Sequence, residues 1–584
     1  MARQYRIGDR LSVISATSSN NLCTVRYIGE ADGFKGLWLG VEWDDDSRGK
    51  HDGSLNGKRY FRSFLNQLLG LCDLPAASFI RPSRPVEPER SLIEAIREKY
   101  APQESSQLQQ VPGENKLTIS GKVVEEVGFD KIRQIQAQFH NLRVVVVPGM
   151  CISVGEKNGE RIEDTCSKIS DLDLSRNLIR DFKEVSCICR QLPNLKMLRL
   201  NGNRFFDNIP LVSDTALDDG TFGFSTIQEL ELDQTLLPWE SIVILGVYFH
   251  RLTILTVSSN HFREVPATLN AKNLISLNLQ YNKFKSLHDI HPLSQLESLQ
   301  VLLLKGNQIS KVNKSETSTT LVQFGMKLCH VDLSHNCIDS WDFIDTLPLV
   351  FPGLTNLRTM YNPIHNLSKD PTCAKNDDAS MIIIGRLESL TTLNYSKINA
   401  AERANAEIYY LSKIAKEVIA APENEKNAIL ARHARFKDLC IKWGEPVMNR
   451  SSQSSLDSRL IKFTFHCSAS YEGISKEMIW KQEIPKSIDV YRVKGMIGKM
   501  LGVPLTTLRM VWETGEWDPV ADYDNALEET DSGYTNEIQG EFVSAKALGR
   551  WVQREVEVRN STRQIGNCVD GLEASIRVEF CSDV

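Results

Sequence analysis

No part of this 584-residue chain carries an apolar run long enough to cross a membrane; Leu142 to Val147 and Ile242 to Val247 are short and read as core elements. Basic charge is not in excess either. Lys and Arg number 68 against 74 Asp and Glu, a formal net charge of −6, which argues against a nucleic-acid partner. Thirteen cysteines are scattered from Cys23 to Cys581, and the close pair Cys187-Ile188-Cys189 lacks zinc-ligand spacing, so no metal is expected. Reduced, buried thiols and a cytoplasmic location fit that scatter better. Asp9 and Arg10 interrupt the N-terminal segment, so no secretory signal is expected there. The chain has no Gly-Lys-Ser/Thr phosphate loop, no His-Glu-x-x-His and no Gly-x-Ser-x-Gly elbow. Neither a cofactor nor a catalytic residue is expected, and a binding protein is the default.

What the chain does have begins at once. Its first 57 residues hold eight glycines (Gly8, Gly29, Gly33, Gly36, Gly40, Gly49, Gly53 and Gly57), about twice the density of 34 in 584. Glycines this dense among aromatics predict a small β module with tight turns, where backbone approaches something closely. Gly49-Lys50-His51-Asp52-Gly53 is preceded by Gly36-Leu37-Trp38-Leu39-Gly40-Val41-Glu42-Trp43 and followed by Tyr60-Phe61. The plain alternative makes 49–53 a simple turn and both tryptophans core residues. For Trp43 that is the better reading. The module ends near Phe79-Ile80-Arg81-Pro82, and Pro82, Pro85 and Pro88 mark a stiff exit. Ser91 and Glu94 then form a capping box ahead of Leu92, Ile93 and Ile96, and residues 101–115 read as a linker.

A repeat fills the centre. Leu195-x-x-Leu198-x-Leu200-x-x-Asn203 sets a template that recurs ending at Asn177, Asn260, Asn282, Asn307, Asn336 and Asn362. Two further copies end in Thr235 and Met150. Eight intervals from Met150 to Asn362 cover 212 residues, a mean period of 26.5. That period fits a leucine-rich repeat of about 20–29 residues. Each unit should give a short strand with its leucines inward, and the asparagine should bond to backbone left unpaired in the turn. Outward strand positions such as Arg199, Asn278, Gln280, Lys305 and His330 are candidates for contacting a protein, or are simply solvated. Leu387, Leu390 and Leu393-Asn394 read as a cap over the last unit.

Beyond it, Asn399 and Glu402 can start a helix through Ile408, Leu411 and Ile414 that Pro422 stops, and a second helix should carry Ile429, Leu430 and Phe436. Ser451 to Ser455 is the next linker. Ile461, Phe463 and Phe465 then alternate with polar residues as a strand, followed by a second strand over Met478 to Ile484. A helix beginning at Ser487 should present Val490, Val493, Ile497, Met500 and Leu501 before Gly502 and Pro504 stop it, and Leu505 to Trp512 supplies a third strand.

Gly-Lys-x-Asp-Gly between Trp-x-Gly-Val-Glu and Tyr-Phe resembles the CAP-Gly family, which binds acidic C-terminal tails of α-tubulin and of microtubule plus-end proteins. The resemblance implies a groove in which Trp38 walls an aromatic slot, Gly49, Lys50, His51, Asp52 and Gly53 hold the tail, and Phe79 and Arg81 close the groove. His51 stands where the family usually has Asn, and Phe34 is one residue closer to Trp38 than the family's groove aromatic. The family's short Cys- and Gly-containing loop is replaced by Arg62 to Ala77.

The hairpin–helix–strand order after 456 resembles a ubiquitin-like fold, and the end Ser582-Asp583-Val584 lacks the Gly-Gly that a transferable modifier needs. The expected fold is therefore multidomain α+β: a small all-β CAP-Gly domain, a leucine-rich-repeat solenoid and a C-terminal β-grasp domain. Expected boundaries are 1–85 for the CAP-Gly domain, 86–115 for helix and linker, 116–398 for solenoid and cap, 399–447 for a helical connector, 456–545 for the ubiquitin-like domain and 546–584 for a tail of unknown structure.

This order resembles the tubulin-folding cofactor family. It implies a cytoplasmic, cytoskeleton-associated chaperone that takes α-tubulin by its tail and its body. The implied partners are α-tubulin and the tubulin-folding cofactors B, C and D, which together assemble or dissociate α/β-tubulin dimers. Two alternatives stand beside it: a structural microtubule-associated CAP-Gly protein, and an adaptor that reaches the proteasome through the ubiquitin-like domain.

Overall fold

Alternating apolar residues become strands at all nine expected places. The structure, a computed structural model, describes residues 4–15, 21–63, 75–100, 118–119, 122–123, 138–205, 223–314, 321–366, 375–446, 459–471, 474–519 and 551–580. The expected linkers at 101–115 and 451–455, and residues 64–74 of the segment replacing the family loop, lie outside these. The chain forms two compact units, Met1–Ile338 with Thr346–Tyr361, and Asp339–Asp345 with Asn362–Val584.

The first unit opens with an antiparallel sheet of β1 (Arg10–Ser12), β2 (Leu22–Ala31), β3 (Phe34–Trp43) and β4 (Ala77–Ile80), in that order. Leu11, Val13, Cys23, Val25, Leu39, Val41, Trp43 and Ile80 form its core. Trp43 is a core residue as expected, its indole N–H donating to Ser78 Oγ at 3.0 Å. Helix α1 (Leu92–Tyr100) starts with the expected capping box: the Ser91 N–H meets Glu94 Oε2 at 2.7 Å, and the Glu94 N–H meets Ser91 Oγ at 3.1 Å.

The solenoid follows as β5 (Val144–Val146), β6 (Asp171–Asp173), β7 (Met197–Arg199), β8 (Glu229–Glu231), β9 (Ile254–Thr256), β10 (Ser276–Asn278), β11 (Val301–Leu303), β12 (His330–Asp332) and β13 (Asn356–Arg358), each parallel to the next. Register aligns Val145, Leu172, Leu198, Leu230, Leu255, Leu277, Leu302, Val331 and Leu357 in one inward row, none more than 2% exposed. A strand three residues long buries too little alone, so each repeat depends on its neighbours.

Polar bonds lock the stack. Asn282 accepts at Oδ1 from the N–H groups of Asn260 (3.0 Å) and Phe262 (3.1 Å), and donates from Nδ2 to the carbonyls of Val257 (3.2 Å) and Leu279 (3.0 Å). Asn177, Asn203, Asn307 and Asn336 likewise donate both to their own repeat and to the one before. Thr235 breaks the ladder. Its hydroxyl donates to the Leu232 carbonyl at 2.9 Å and has no second proton to send to the preceding repeat. Before the ladder residues from 177 to 362, the preceding residue (Arg176, Gly202, Gln234, Ser259, Tyr281, Gly306, His335 or Tyr361) is left-handed, with φ between 54° and 73°. The bends cost the non-glycine residues of order 1 kcal/mol each, which the ladder offsets.

The CAP-Gly sheet is fastened to the start of this stack. Asp44, just after β3, takes both terminal nitrogens of the buried Arg10 at 2.6 Å and lies 3.8 Å from Arg204 of the third repeat. Burial opposes the Asp44 charge, but Arg10 and Arg204 hold its carboxyl below the usual range. Arg180 pairs with Asp9, and Leu22 packs with Cys151 and Leu178. Arg90–Ser91 also pairs in parallel with Ile152–Val154.

In the second unit, Asn399 caps α2 (Ala400–Ala420) by accepting the Glu402 N–H at 2.8 Å. The expected second helix is two helices, α3 (Lys426–Arg432) and α4 (Phe436–Trp443). The break falls at His433, whose ring is drawn to Tyr410 Oη at 2.8 Å and whose backbone leaves the helical region.

The β-grasp sheet contains β14 (Leu460–Tyr471), β15 (Ile474–Pro485), β16 (Leu508–Pro519), β17 (Trp551–Glu557) and β18 (Glu573–Phe580), in the order β15-β14-β18-β16-β17. Helix α5 (Val490–Leu501) starts three residues beyond the expected Ser487, because Asp489 caps it, its carboxylate accepting the Arg492 N–H at 2.9 Å; Gly502 ends it with φ 74°. The larger correction concerns residues 546–584, expected as a tail. They supply two strands, and β18 is central, parallel to β14, with Ala574, Ile576 and Val578 in the core.

Two substitutions test the solenoid. Asn282→Ala should destabilise the first unit by about 2–4 kcal/mol, since buried donors and acceptors in two repeats lose partners; a urea midpoint of that transition reads it. Burial, with Glu231 nearby, raises the Asp233 carboxyl to about 6 despite a bond from the Ser258 N–H. A carboxyl raised above its unfolded value binds protons more tightly when folded, so its contribution is lost as pH rises through the folded value. Asp233→Asn should therefore stabilise by about 1–3 kcal/mol at pH 7. The gain should vanish below about pH 4 in the same urea measurement.

Candidate peptide-binding groove

Residues of a strand alternate between faces, and this alternation builds the groove. Leu39 pairs with Ile80 towards the core, so Gly40 and its partner Phe79, with Trp38 and Arg81 beside them, fall on the opposite face. Phe79 is the hub there. Tyr60 (5.3 Å), Phe61 (6.0 Å) and Tyr27 (6.2 Å) meet it edge-on, and the His51 ring tilts against it at 5.0 Å. Gly40 keeps the cluster tight, because a methyl group there would strike the Phe61 ring and Tyr27.

The neighbouring wall is Trp38. The Arg81 guanidinium lies 3.7 Å from its ring centroid, donates to the Lys35 carbonyl at 2.8 Å, and leaves Phe34 edge-on to Trp38 at 5.6 Å. Phe34 therefore joins this wall despite its offset in sequence. The Trp38 indole N–H is buried and has no acceptor among the described residues. An orphaned buried donor is costly, and a ligand oxygen would relieve that cost.

Gly49 to Gly53 form the turn beside Phe79. Gly49 is there for space, since a side chain would run into the Pro75 carbonyl. Gly53 has φ 97°, and a methyl group would meet the Phe61 carbonyl. Asp52 serves the turn: it accepts from the Ser54 N–H at 3.0 Å and pairs with Arg59 at 2.6 Å. Burial resists its charge, yet the Ser54 and Arg59 bonds hold its carboxyl below the usual range. His51 accepts the Gly53 N–H at Nδ1 (3.1 Å), and burial lowers its pKa against the pull of Asp52, so the ring is neutral at pH 7. Lys50 is anchored by its N–H to the Ala77 carbonyl at 2.7 Å, with its side chain exposed.

The eight expected residues thus divide. Trp38, Lys50, His51, Phe79 and Arg81 line or rim one face, whereas Gly49, Asp52 and Gly53 shape the turn. Lys35 and Lys50 meet no carboxylate among the described residues, while Lys58 is paired with Asp32 at 3.2 Å. Tyr27, Tyr60 and Phe61 belong to the face and were not among the expected site residues. Tyr27 shares the parity of the core residues Cys23 and Val25, and a β-bulge between Val25 and Tyr27 turns it onto this face, which the alternation of β2 does not foretell. No three His, Cys, Asp or Glu side chains gather as a metal site among the described residues. The arrangement suits an anionic segment with an aromatic or apolar side chain.

A glycine-shaped turn, an aromatic face and a cationic rim on a four-stranded sheet define a CAP-Gly protein, and the CAP-Gly domain family matches residues 7–84. The similarity continues far beyond that module. Tubulin-specific chaperone E of Mus musculus is 29% identical over 528 residues, covering 87% of this chain and 93% of the mouse protein. The Homo sapiens protein of that name is 28% identical, covering 84% and 90%, and the Drosophila melanogaster protein 27%, covering 85% and 89%. Along most of its length the chain is thus similar to proteins named tubulin-specific chaperone E, and its first module carries the CAP-Gly match.

Gly49→Ala and Gly53→Ala should each destabilise the first unit by about 2–4 kcal/mol through backbone strain and overlap, whereas Lys50→Ala should cost under about 0.5 kcal/mol. Urea denaturation of the three variants separates turn builders from rim residues.

Proposed function

We propose that this chain is a tubulin-folding chaperone. In this reading the CAP-Gly groove takes the acidic C-terminal tail of α-tubulin, and the outward strand positions of the solenoid take its body. With the tubulin-folding cofactors B, C and D the chain assembles or dissociates α/β-tubulin dimers in the cytoplasm. The observation that carries the tail assignment is the buried Trp38 N–H beneath Arg81, which has no acceptor among the described residues. A terminal carboxylate supplies the missing acceptor, preceding glutamates answer the exposed Lys50 of the neighbouring turn, and a terminal aromatic ring stacks on the Phe79 cluster. Similarity to proteins named as tubulin-specific chaperones along 84–87% of the chain favours a folding role over a microtubule-tracking one. The CAP-Gly sheet and the early repeats share one compact unit, so tail and body can be held together.

Lys50→Ala should weaken binding of a peptide ending in Glu-Glu-Tyr by about 1.5–3 kcal/mol, the size of a charge-assisted bond. Titration calorimetry reads this directly, and unchanged affinity would remove the groove from the reading. Soluble tubulin dimer should still bind the same variant, more weakly, through the solenoid; complete loss would confine recognition to the groove.

A further inference from the structure

Away from the CAP-Gly sheet, the second unit contains a cleft of about 540 Å³ between the middle of α2 and the outward face of the β-grasp sheet. Lys413 and Lys416 come from α2, Lys462 from β14 and Lys481 from β15, while Glu483 and Glu573 are the carboxylates among them. Lys416 is paired with Glu483, and Lys462 lies 3.5 Å from Glu573. Lys413 rests 5.0 Å from the Tyr409 ring centroid. Neither Lys413 nor Lys481 meets a carboxylate among the described residues, so each wall keeps one uncompensated ammonium. Four lysines against two glutamates leave the cleft with a net positive charge, which a negatively charged occupant would offset.

We propose that this cleft binds an acidic peptide segment of a partner protein. The two walls ask for carboxylates spaced along a chain, one for Lys413 and one for Lys481. Thr464 adds a hydroxyl on the sheet wall. A compact phosphate fits less well. The cleft lies along mid-helix and mid-strand positions whose N–H groups are committed to the helix and the ladder, so it has no amide cradle. Glu483 and Glu573 would also repel a dense dianion. This site is separate from the CAP-Gly groove and does not rest on the function proposed for it.

The test uses the full chain and a fluorescein-labelled oligoglutamate peptide with an amidated C-terminus, which offers the CAP-Gly groove no terminal carboxylate. Anisotropy should show salt-sensitive binding. Lys413→Gln with Lys481→Gln should weaken it roughly tenfold, the range of two partly exposed ion pairs. Lys437→Gln, on the exposed side of α4, should leave it unchanged. Circular dichroism confirms that the double variant is folded. Absence of binding would overturn the proposal, as would equal weakening by Lys437→Gln. Displacement of the peptide by inorganic phosphate at matched ionic strength would assign the cleft to phosphate and overturn the peptide.

Discussion

The first unit depends on satisfying backbone polar groups where each repeat turns out of its strand. Leucines draw the repeats together without fixing their pitch, because apolar contact is non-directional. The asparagine amides are directional. Asn282 joins four backbone groups across two repeats, and Asn307 and Asn336 continue the same rungs. Burial raises the cost of any broken rung, so the spacing of the stack follows from hydrogen-bond lengths. The bent residues before each rung belong to the same constraint. Tyr281 and Tyr361 accept a conformation that tyrosine ordinarily avoids because the next residue's amide is worth more than the strain.

That frame also fixes where the groove begins. Arg10, buried and bonded twice to Asp44, sits where the CAP-Gly sheet meets the third repeat through Arg204. Removing one partner from such a buried set leaves an uncompensated charge, so the joint resists sliding. The groove side chains lie on the opposite face of the sheet from its core.

Sequence legibility followed the length over which a pattern repeats. Nine copies of one leucine template placed all nine strands, since chance rarely keeps a period over 212 residues. Single events were harder. The Asp489 cap set the fifth helix three residues beyond its expected start at Ser487, and His433 split an expected helix through a tertiary bond to Tyr410. The last strand was in plain view as Ala574, Ile576 and Val578 alternating with Ser575, Arg577 and Glu579. It was missed because its partner β14 lies over a hundred residues away, and parallel pairing leaves no local turn signal. Within the groove, Lys50, Phe79 and Trp38 came from the resemblance to the CAP-Gly family. The roles of Gly49 and Gly53 could not be read from the sequence, because the atoms that exclude a side chain there belong to Pro75 and Phe61.

Charge is segregated in this molecule in a way its net value hides. The chain is acidic overall, yet Lys50 beside the groove, and Lys413 and Lys481 in the cleft of the second unit, meet no carboxylate among the described residues. Several other cations are matched: Arg199 lies between Asp171 and Glu231, Arg358 meets Asp332, and Arg577 is shared by Glu513, Glu555 and Glu579. Matched pairs at the surface add little stability and repel little. An unmatched lysine beside an aromatic wall has a different effect, since it attracts a carboxylate and leaves the apolar part of the ligand against the ring. If both proposed sites take acidic peptides, the overall acidic field would disfavour generic polyanions while the local lysines favour a short acidic segment.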